Sequence, residues 1–279
     1  MLKSLFSLVK IEHTLFALPL ALTGAVLGAR GLPPITALLL MAVAFTAARA
    51  SAMAFNRIAD RHLDAKNPRT ANREIPSGTL SVTRVWGLVL VSIAVFLAAS
   101  WAINPLCGKL APLALLVLLG YSYTKRFTHL CHYFLGLALG MAPVAGWIAA
   151  TGSIAAAPVV LGLGVIFWTA GFDILYACQD VEFDRKMGLH SIPAHLGAQK
   201  ALKLASLSHI AAFVLFILAG ALASLGVGFY LLSIIPGALL FWEHRLITPE
   251  DLTHIDLAFF KVNSLVSASL LLAVIGGLF

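Results

Sequence analysis

Apolar residues run through this chain in long stretches, broken by Gly, Pro and charge near residues 13–30, 35–57, 82–103, 109–125, 132–150, 156–180, 201–222, 226–243 and 257–278. A helix crosses a bilayer with about 17–25 apolar residues, so each stretch predicts a membrane span. Nine spans leave too little sequence for a separate soluble domain. The pattern therefore predicts an all-α, polytopic membrane protein forming one domain over residues 1–279. The first stretch follows Lys3 and Lys10 and imitates a secretory signal, but the spans behind it make it the first membrane helix.

Composition sharpens this picture. The 279 residues are 60% hydrophobic and 11% charged, whereas an average soluble domain carries roughly a quarter charged residues. Three cysteines, Cys107, Cys131 and Cys178, lack any CxxC or CxxH spacing, which argues against a disulfide framework or a zinc site. A net charge of +7 would suit nucleic acid in a soluble chain. Here the basic residues sit in short loops between spans, which excludes that partner in favour of the lipid bilayer. Lys66, Arg69, Arg73, Lys125, Arg126, Arg185, Lys186 and Arg245 fall on one side and Arg30 and Lys109 on the other. The positive-inside rule makes the first side cytoplasmic, in a cell's inner membrane. The acids gather on that side too, although acids contribute little to orientation. That face is thus a polar chemical surface on an apolar bundle.

Two motifs carry the chemistry. At the end of the second span, Asn56, Asp60 and Asp64 stand four residues apart. Helical neighbours at that spacing stack on one face, and two carboxylates with an amide oxygen suit a hard cation such as Mg2+. At the end of the sixth span, Asp173, Tyr176, Asp180 and Asp184 follow at i, i+3, i+7 and i+11, which predicts one continuous helical face. Asp173 lies deepest. A carboxylate inside an apolar span is costly and marks a functional site, with Mg2+, Tyr176 or an arginine as its candidate partner. Solvated helix ends also collect Asp, Asn and Arg, but two clusters with matching steps, each followed by a basic loop, argue for paired cation sites. The recurrence is also the mark of a duplicated plan.

The loop after the first motif places Arg69 and Arg73 where forked guanidinium donors can match phosphate geometry. Tyr121, Tyr123 and Lys125 add two phenols and an ammonium at the end of the fourth span. Arg49 lies seven residues before Asn56, nearly on the same face, and its depth calls for an acid or an anionic substrate as partner. His13 and Pro19 in the first span, and His132, Met141 and Pro143 in the fifth, read as packing and kink residues rather than ligands.

On these residues the chain resembles the UbiA superfamily of intramembrane prenyltransferases over nearly its full length. The matching patterns are NxxxDxxxD at Asn56, Asp60 and Asp64, DxxYxxxDxxxD at Asp173, Tyr176, Asp180 and Asp184, and YxxxK at Tyr121 and Lys125. Within it, "DRHLDAKNPRTANREIPSG" and "YTKRFT" look like the 4-hydroxybenzoate polyprenyltransferase group. "GFDILYACQD" and "GLHSIPAHLG" look like its MqnP-like branch, associated with menaquinone made by the futalosine route. The resemblance implies nine helices around a central cavity capped by cytoplasmic loops. It implies two Mg2+ ions bridging the diphosphate of a polyprenyl substrate, held by Asp60, Asp64, Asp180 and Asp184 with Asn56 assisting. Arg69, Arg73, Lys125 and Tyr121 would then bind diphosphate, and Asp173 and Tyr176 would line the reaction centre, with Arg49 beside them.

The expected activity is transfer of a polyprenyl group to an aromatic carboxylate of the 4-hydroxybenzoate type in quinone biosynthesis. The same chemistry on 1,4-dihydroxy-6-naphthoate is the alternative within the class. Outside it, a secondary transporter also has duplicated halves and embedded charge, but transporter sites lie near the midplane on broken helices, whereas these aspartates gather at one face.

Overall fold

The structure is a computed structural model that describes residues 8, 12–249 and 251–279, with side chains given for Leu8 and from Ala17 onward. Lys3, Lys10 and the side chain of His13 lie outside the described residues. Among the described residues every regular element is helical. The long helices are α1 (Glu12–Ala29), α2 (Ile35–Ala59), α3 (Val82–Ile103), α4 (Pro105–Thr124), α5 (Cys131–Thr151), α6 (Ala156–Ala177), α7 (Ala198–Leu222), α8 (Val227–Leu246, broken at Ser233) and α9 (Leu257–Gly276). Among the described residues eight spans, starting with α2, are long and apolar enough to cross a membrane, and α1 adds a shorter apolar segment, Ala17–Ala29. The chain is thus a polytopic membrane protein. Its contacts divide it into two compact units, residues 1–14 with 35–123 and residues 15–34 with 124–279.

In the first unit α2 packs along α3. Its buried face is made of small residues, Ala44, Ala47, Ala48, Ser51, Ala52 and Ala54, which let backbones approach closely where lipid supplies no hydrophobic drive. Ala54 and Ile58 continue that face into a cluster with Leu8, Leu80, Val85 and Val89. The fourth helix starts at Pro105, earlier than the residue 109 expected from the apolar run. Asn104 accepts the Cys107 amide N–H at 2.9 Å, and proline at the first helical position needs no acceptor, so this pair sets the start.

In the second unit α6 packs on both α5 and α7. Gly140 and Gly162 meet so closely that a Cβ on either would come within 2.6 Å of the other's carbonyl oxygen. The α1 and α5 backbones are as tight: a Cβ on Gly24 would overlap the Pro143 carbonyl. Deep in this unit Trp168 Nε1 donates to Asn263 Oδ1 at 2.6 Å, and Asn263 Nδ2 donates to Glu243 Oε1 at 2.9 Å. The same amide reaches the carbonyls of Ala258 and Phe259. It thereby satisfies backbone freed by the wide turn Leu257–Val262 that opens α9.

Candidate active site

The first motif keeps its four-residue stacking across a break. The helix α2 ends at Ala59, Asp60 adopts φ −93° and ψ 3°, and a short helix Arg61–Asp64 follows. Backbone bonds from Asp60 N to Asn56 O (2.9 Å) and from Asp64 N to Asp60 O (2.8 Å) preserve the register. Asn56 Nδ2 donates to Asp60 Oδ2 at 3.1 Å and to Ser122 Oγ at 3.3 Å, so Asn56, Asp60 and α4 are tied together. Asp60 and Asp64 are both buried. The loop then folds back over them. Thr70 donates its hydroxyl to the Asp64 carbonyl at 3.1 Å, and Arg73 Nη1 pairs with Asp64 Oδ1 at 2.7 Å. Asp64 Oδ2 is left buried with no hydrogen-bond partner.

Arg49 is half-buried on α2. Its Nη2 contacts Met53 Sδ at 3.1 Å, its Nε has no acceptor, and Tyr121 lies within electrostatic range. Arg69 is exposed, and its backbone N–H is held by Asn67 Oδ1 at 3.0 Å.

The second motif departs from the expected continuous face. The helix α6 ends at Ala177, a tighter turn occupies Cys178–Asp180, and a new helix runs Val181–Met187. Asp180 sits at φ −104° and ψ 8°, so Asp173 and Tyr176 belong to one helical segment and Asp184 to the next. Such a break between helical turns is a common accompaniment of functional sites. Asp184 is buried and accepts the Ser191 hydroxyl at 2.7 Å. Asp180, Lys125 and His132 lie within electrostatic range of it. The Tyr176 ring packs on Phe259 with centroids 4.2 Å apart. Asp173 is bonded to His132, Nδ1 to Oδ2 at 2.7 Å, so a residue expected only to pack is a protein partner of the acid that lies within α6. His132 and Ser122 escaped the sequence reading because their partners Asp173 and Asn56 lie far along the chain, and Ser191 because a loop serine carries no chemical signal of its own; for His132 the weak signal available was an ionisable residue inside a span.

The donor set fits Mg2+. The ion favours hard oxygen donors and takes one or two protein carboxylates, completing its shell with water and phosphate. Each motif offers an aspartate at its helix break and another four residues on, Asp60 with Asp64 and Asp180 with Asp184, and the buried Asp64 Oδ2 is a carboxylate oxygen without a hydrogen-bond donor. Among the described residues no three or more His, Cys, Asp or Glu side chains gather into a group that could hold a metal ion by themselves.

A model of the UbiA prenyltransferase family matches residues 17–265. A 4-hydroxybenzoate octaprenyltransferase of Yersinia pseudotuberculosis serotype IB is 31% identical over 249 residues, covering 89% of this chain and 84% of that protein. One from Vibrio atlanticus is 30% identical over 238 residues, covering 85% and 84%. Among solved structures, the apo UbiA homolog from Aeropyrum pernix K1 superposes with a TM-score of 0.85 at 32% identity, covering 94% of this chain and 98% of that one. A UbiA homolog from Archaeoglobus fulgidus bound to GPP and Mg2+ gives a TM-score of 0.75 at 22% identity, covering 97% and 99%.

Proposed function

The chain belongs to the UbiA prenyltransferase family, and from that premise we propose that it transfers a polyprenyl group from polyprenyl diphosphate to an aromatic carboxylate of the 4-hydroxybenzoate type. The whole chain, residues 1–279, acts as one catalytic domain with its polar loops on the cytoplasmic side of the membrane. The observation that carries the reading is the repetition of one device: a helix broken at an aspartate, with a second aspartate buried four residues on, at Asp60–Asp64 and at Asp180–Asp184. Curated relatives of about 30% identity named for the 4-hydroxybenzoate reaction support the acceptor class.

In the reaction the allylic C–O bond breaks and diphosphate leaves with the electron pair. A ring carbon of the acceptor then forms the new C–C bond, and the ring loses a proton. Asp60 and Asp64 with Asn56, and Asp180 with Asp184, are the residues that would hold Mg2+. Bound there, Mg2+ would supply charge neutralisation for the departing diphosphate. Arg73, Arg69, Lys125 and Tyr121 bind that group as donors whose interaction strengthens as negative charge develops. Arg49, with an unfilled donor, takes the acceptor's carboxylate. Asp173 accepts a hydrogen bond from the acceptor's phenolic hydroxyl, and Tyr176 with Phe259 walls the reaction centre. Apolar helices exclude water that would quench the allylic cation.

Purified protein in detergent, given polyprenyl diphosphate, Mg2+ and either 4-hydroxybenzoate or 1,4-dihydroxy-6-naphthoate, tests this by mass spectrometry of the product. Prenylated 4-hydroxybenzoate is expected. Product from the naphthoate alone moves the acceptor to the menaquinone alternative, and product from neither removes both. Turnover without a membrane gradient separates the enzyme from a transporter.

A further inference from the structure

His132 opens α5 and is 2% exposed, yet both of its ring nitrogens are engaged. Nδ1 lies 2.7 Å from Asp173 Oδ2, and Nε2 accepts the backbone N–H of Ile192 at 3.3 Å. A nitrogen that accepts cannot also carry a proton, so the Ile192 contact places the ring proton on Nδ1. Nδ1–H then donates to Asp173. This is the arrangement in which a histidine's second nitrogen fixes the tautomer presented by the first.

The Ile192 amide is itself well placed. Ile192 is the first residue of the short helix Ile192–Leu196, where an N–H has no partner within the helix. The preceding residues are pinned on both sides: His190 N–H donates to the Lys125 carbonyl at 2.7 Å, Cys131 Sγ to the His190 carbonyl at 3.3 Å, and Ser191 Oγ to Asp184 Oδ2 at 2.7 Å. One tripeptide, His190–Ile192, thus contacts the buried acid of the second motif, Asp184, and, through His132, Asp173 of α6.

We infer that His132 is a positioning residue for the prenyl transfer: its Nδ1–H holds Asp173 in one rotamer, with Oδ1 left to accept the phenolic hydroxyl of the aromatic acceptor, and the Ile192 amide keeps that proton on Nδ1. The assignment rests on the reading of Asp173 as the reaction-centre carboxylate. Its consequence is a division of labour: losing His132 impairs the acceptor half of the reaction and spares diphosphate binding.

Three variants in detergent-purified protein test it, each first checked for a monodisperse profile and an unchanged thermal unfolding midpoint. Asp173→Asn establishes the underlying reading; if it turns over like the wild type, that reading falls and the role of His132 with it. With Asp173→Asn inactive, His132→Leu is expected to lower kcat/KM for the aromatic acceptor about 10- to 100-fold, the scale seen when a partner that orients a functional group is removed. The KM for polyprenyl diphosphate should stay unchanged. His132→Asn places an amide N–H near the position of Nδ1 and is expected to recover most of the lost activity. A silent His132→Leu, a loss confined to the KM for polyprenyl diphosphate, or an Asn variant as poor as the Leu variant would each overturn the inference while leaving the role of Asp173 intact. Should the Leu variant fail to fold, the Asn variant decides alone: activity close to wild type supports the inference and collapse refutes it.

Discussion

The two aspartate turns share a backbone and differ in their electrostatics. Asp60 and Asp180 both sit in the sparsely populated region near φ −90°, ψ 0°, and each is followed four residues later by a buried aspartate. In the first turn the buried acid is paired with a cation, Arg73, nine residues further on. In the second it is held by a hydroxyl, Ser191, seven residues further on. A guanidinium neutralises charge, whereas a hydroxyl only solvates it. The two turns thus share local geometry and differ in what stabilises the buried acid. The first turn uses Arg73, a residue we assign to diphosphate, to hold its own carboxylate; in the second, Lys125 lies within electrostatic range of Asp184.

If the shared backbone marks a shared role, removing the aspartate at either break should cost the most. Asp60→Asn and Asp180→Asn each exchange a carboxylate for a neutral amide of the same shape, so the fold should survive. Turnover should fall by about 10²- to 10³-fold in each, the scale of removing one electrostatic stabiliser of a transition state. Near-wild-type turnover in both would end the cation-site reading, and loss in only one would mean that the two turns do different work.

The next effect should separate the turns. Arg73→Met leaves Asp64 Oδ1 unpaired beside the already orphaned Oδ2 and removes a phosphate donor. The KM for polyprenyl diphosphate should rise about tenfold or more, since each tenfold is about 1.4 kcal/mol and a hydrogen bond to a charged group contributes about 1.5–3 kcal/mol. Adding Asp64→Asn should relieve part of the destabilisation, because an unpaired buried carboxylate is no longer left behind, and thermal unfolding of the double variant measures that coupling. Ser191→Ala removes only a hydroxyl, so it should change kinetic constants a few-fold, on the order of 1 kcal/mol. Equal effects from the two substitutions would erase the distinction drawn between them.

Much of this contrast was hidden in the sequence for physical reasons. Apolar length reveals spans, so the helices stand within a few residues of their expected positions, and α4 deviates only where Asn104 and Pro105 override hydropathy as start signals. The four-residue steps of the aspartates were visible, but they look the same in a continuous helix and in one that tightens for three residues at Cys178–Asp180. Partners were less legible still. Arg73 and Ser191 lie close enough in sequence to Asp64 and Asp184 to be guessed as loop residues, whereas His132 and Asp173 are 41 positions apart on different helices. Only the packing of α5 on α6, set by glycines such as Gly140 and Gly162, brings those two helices close enough.

The smallest expected difference is in response to acid. The loop of the second turn packs around His129, whose ring stacks on His195 at 4.2 Å and meets His190 edge-on at 4.8 Å. Burial, followed by the charges His195 and His190 would carry, holds the His129 pKa below its usual 6.5. A base whose pKa is depressed on docking binds fewer protons docked than free. The docked loop is therefore fully stable above pH 6.5 and loses stability as the pH falls from there toward the depressed value. In the first turn the loop between Asp64 and Arg73 holds no histidine, the side chain that most often changes charge near neutrality. Hydrogen exchange at pH 7.5 and 5.5, corrected for intrinsic rates and read by mass spectrometry, should show protection lost across residues 188–196 and kept across residues 66–80. His129→Phe should flatten that response, because an aromatic ring without a titrating nitrogen keeps the stacking and removes the proton. Equal loss in both segments, or a response untouched by the substitution, would show that acid acts elsewhere and that the two turns are electrostatically alike after all.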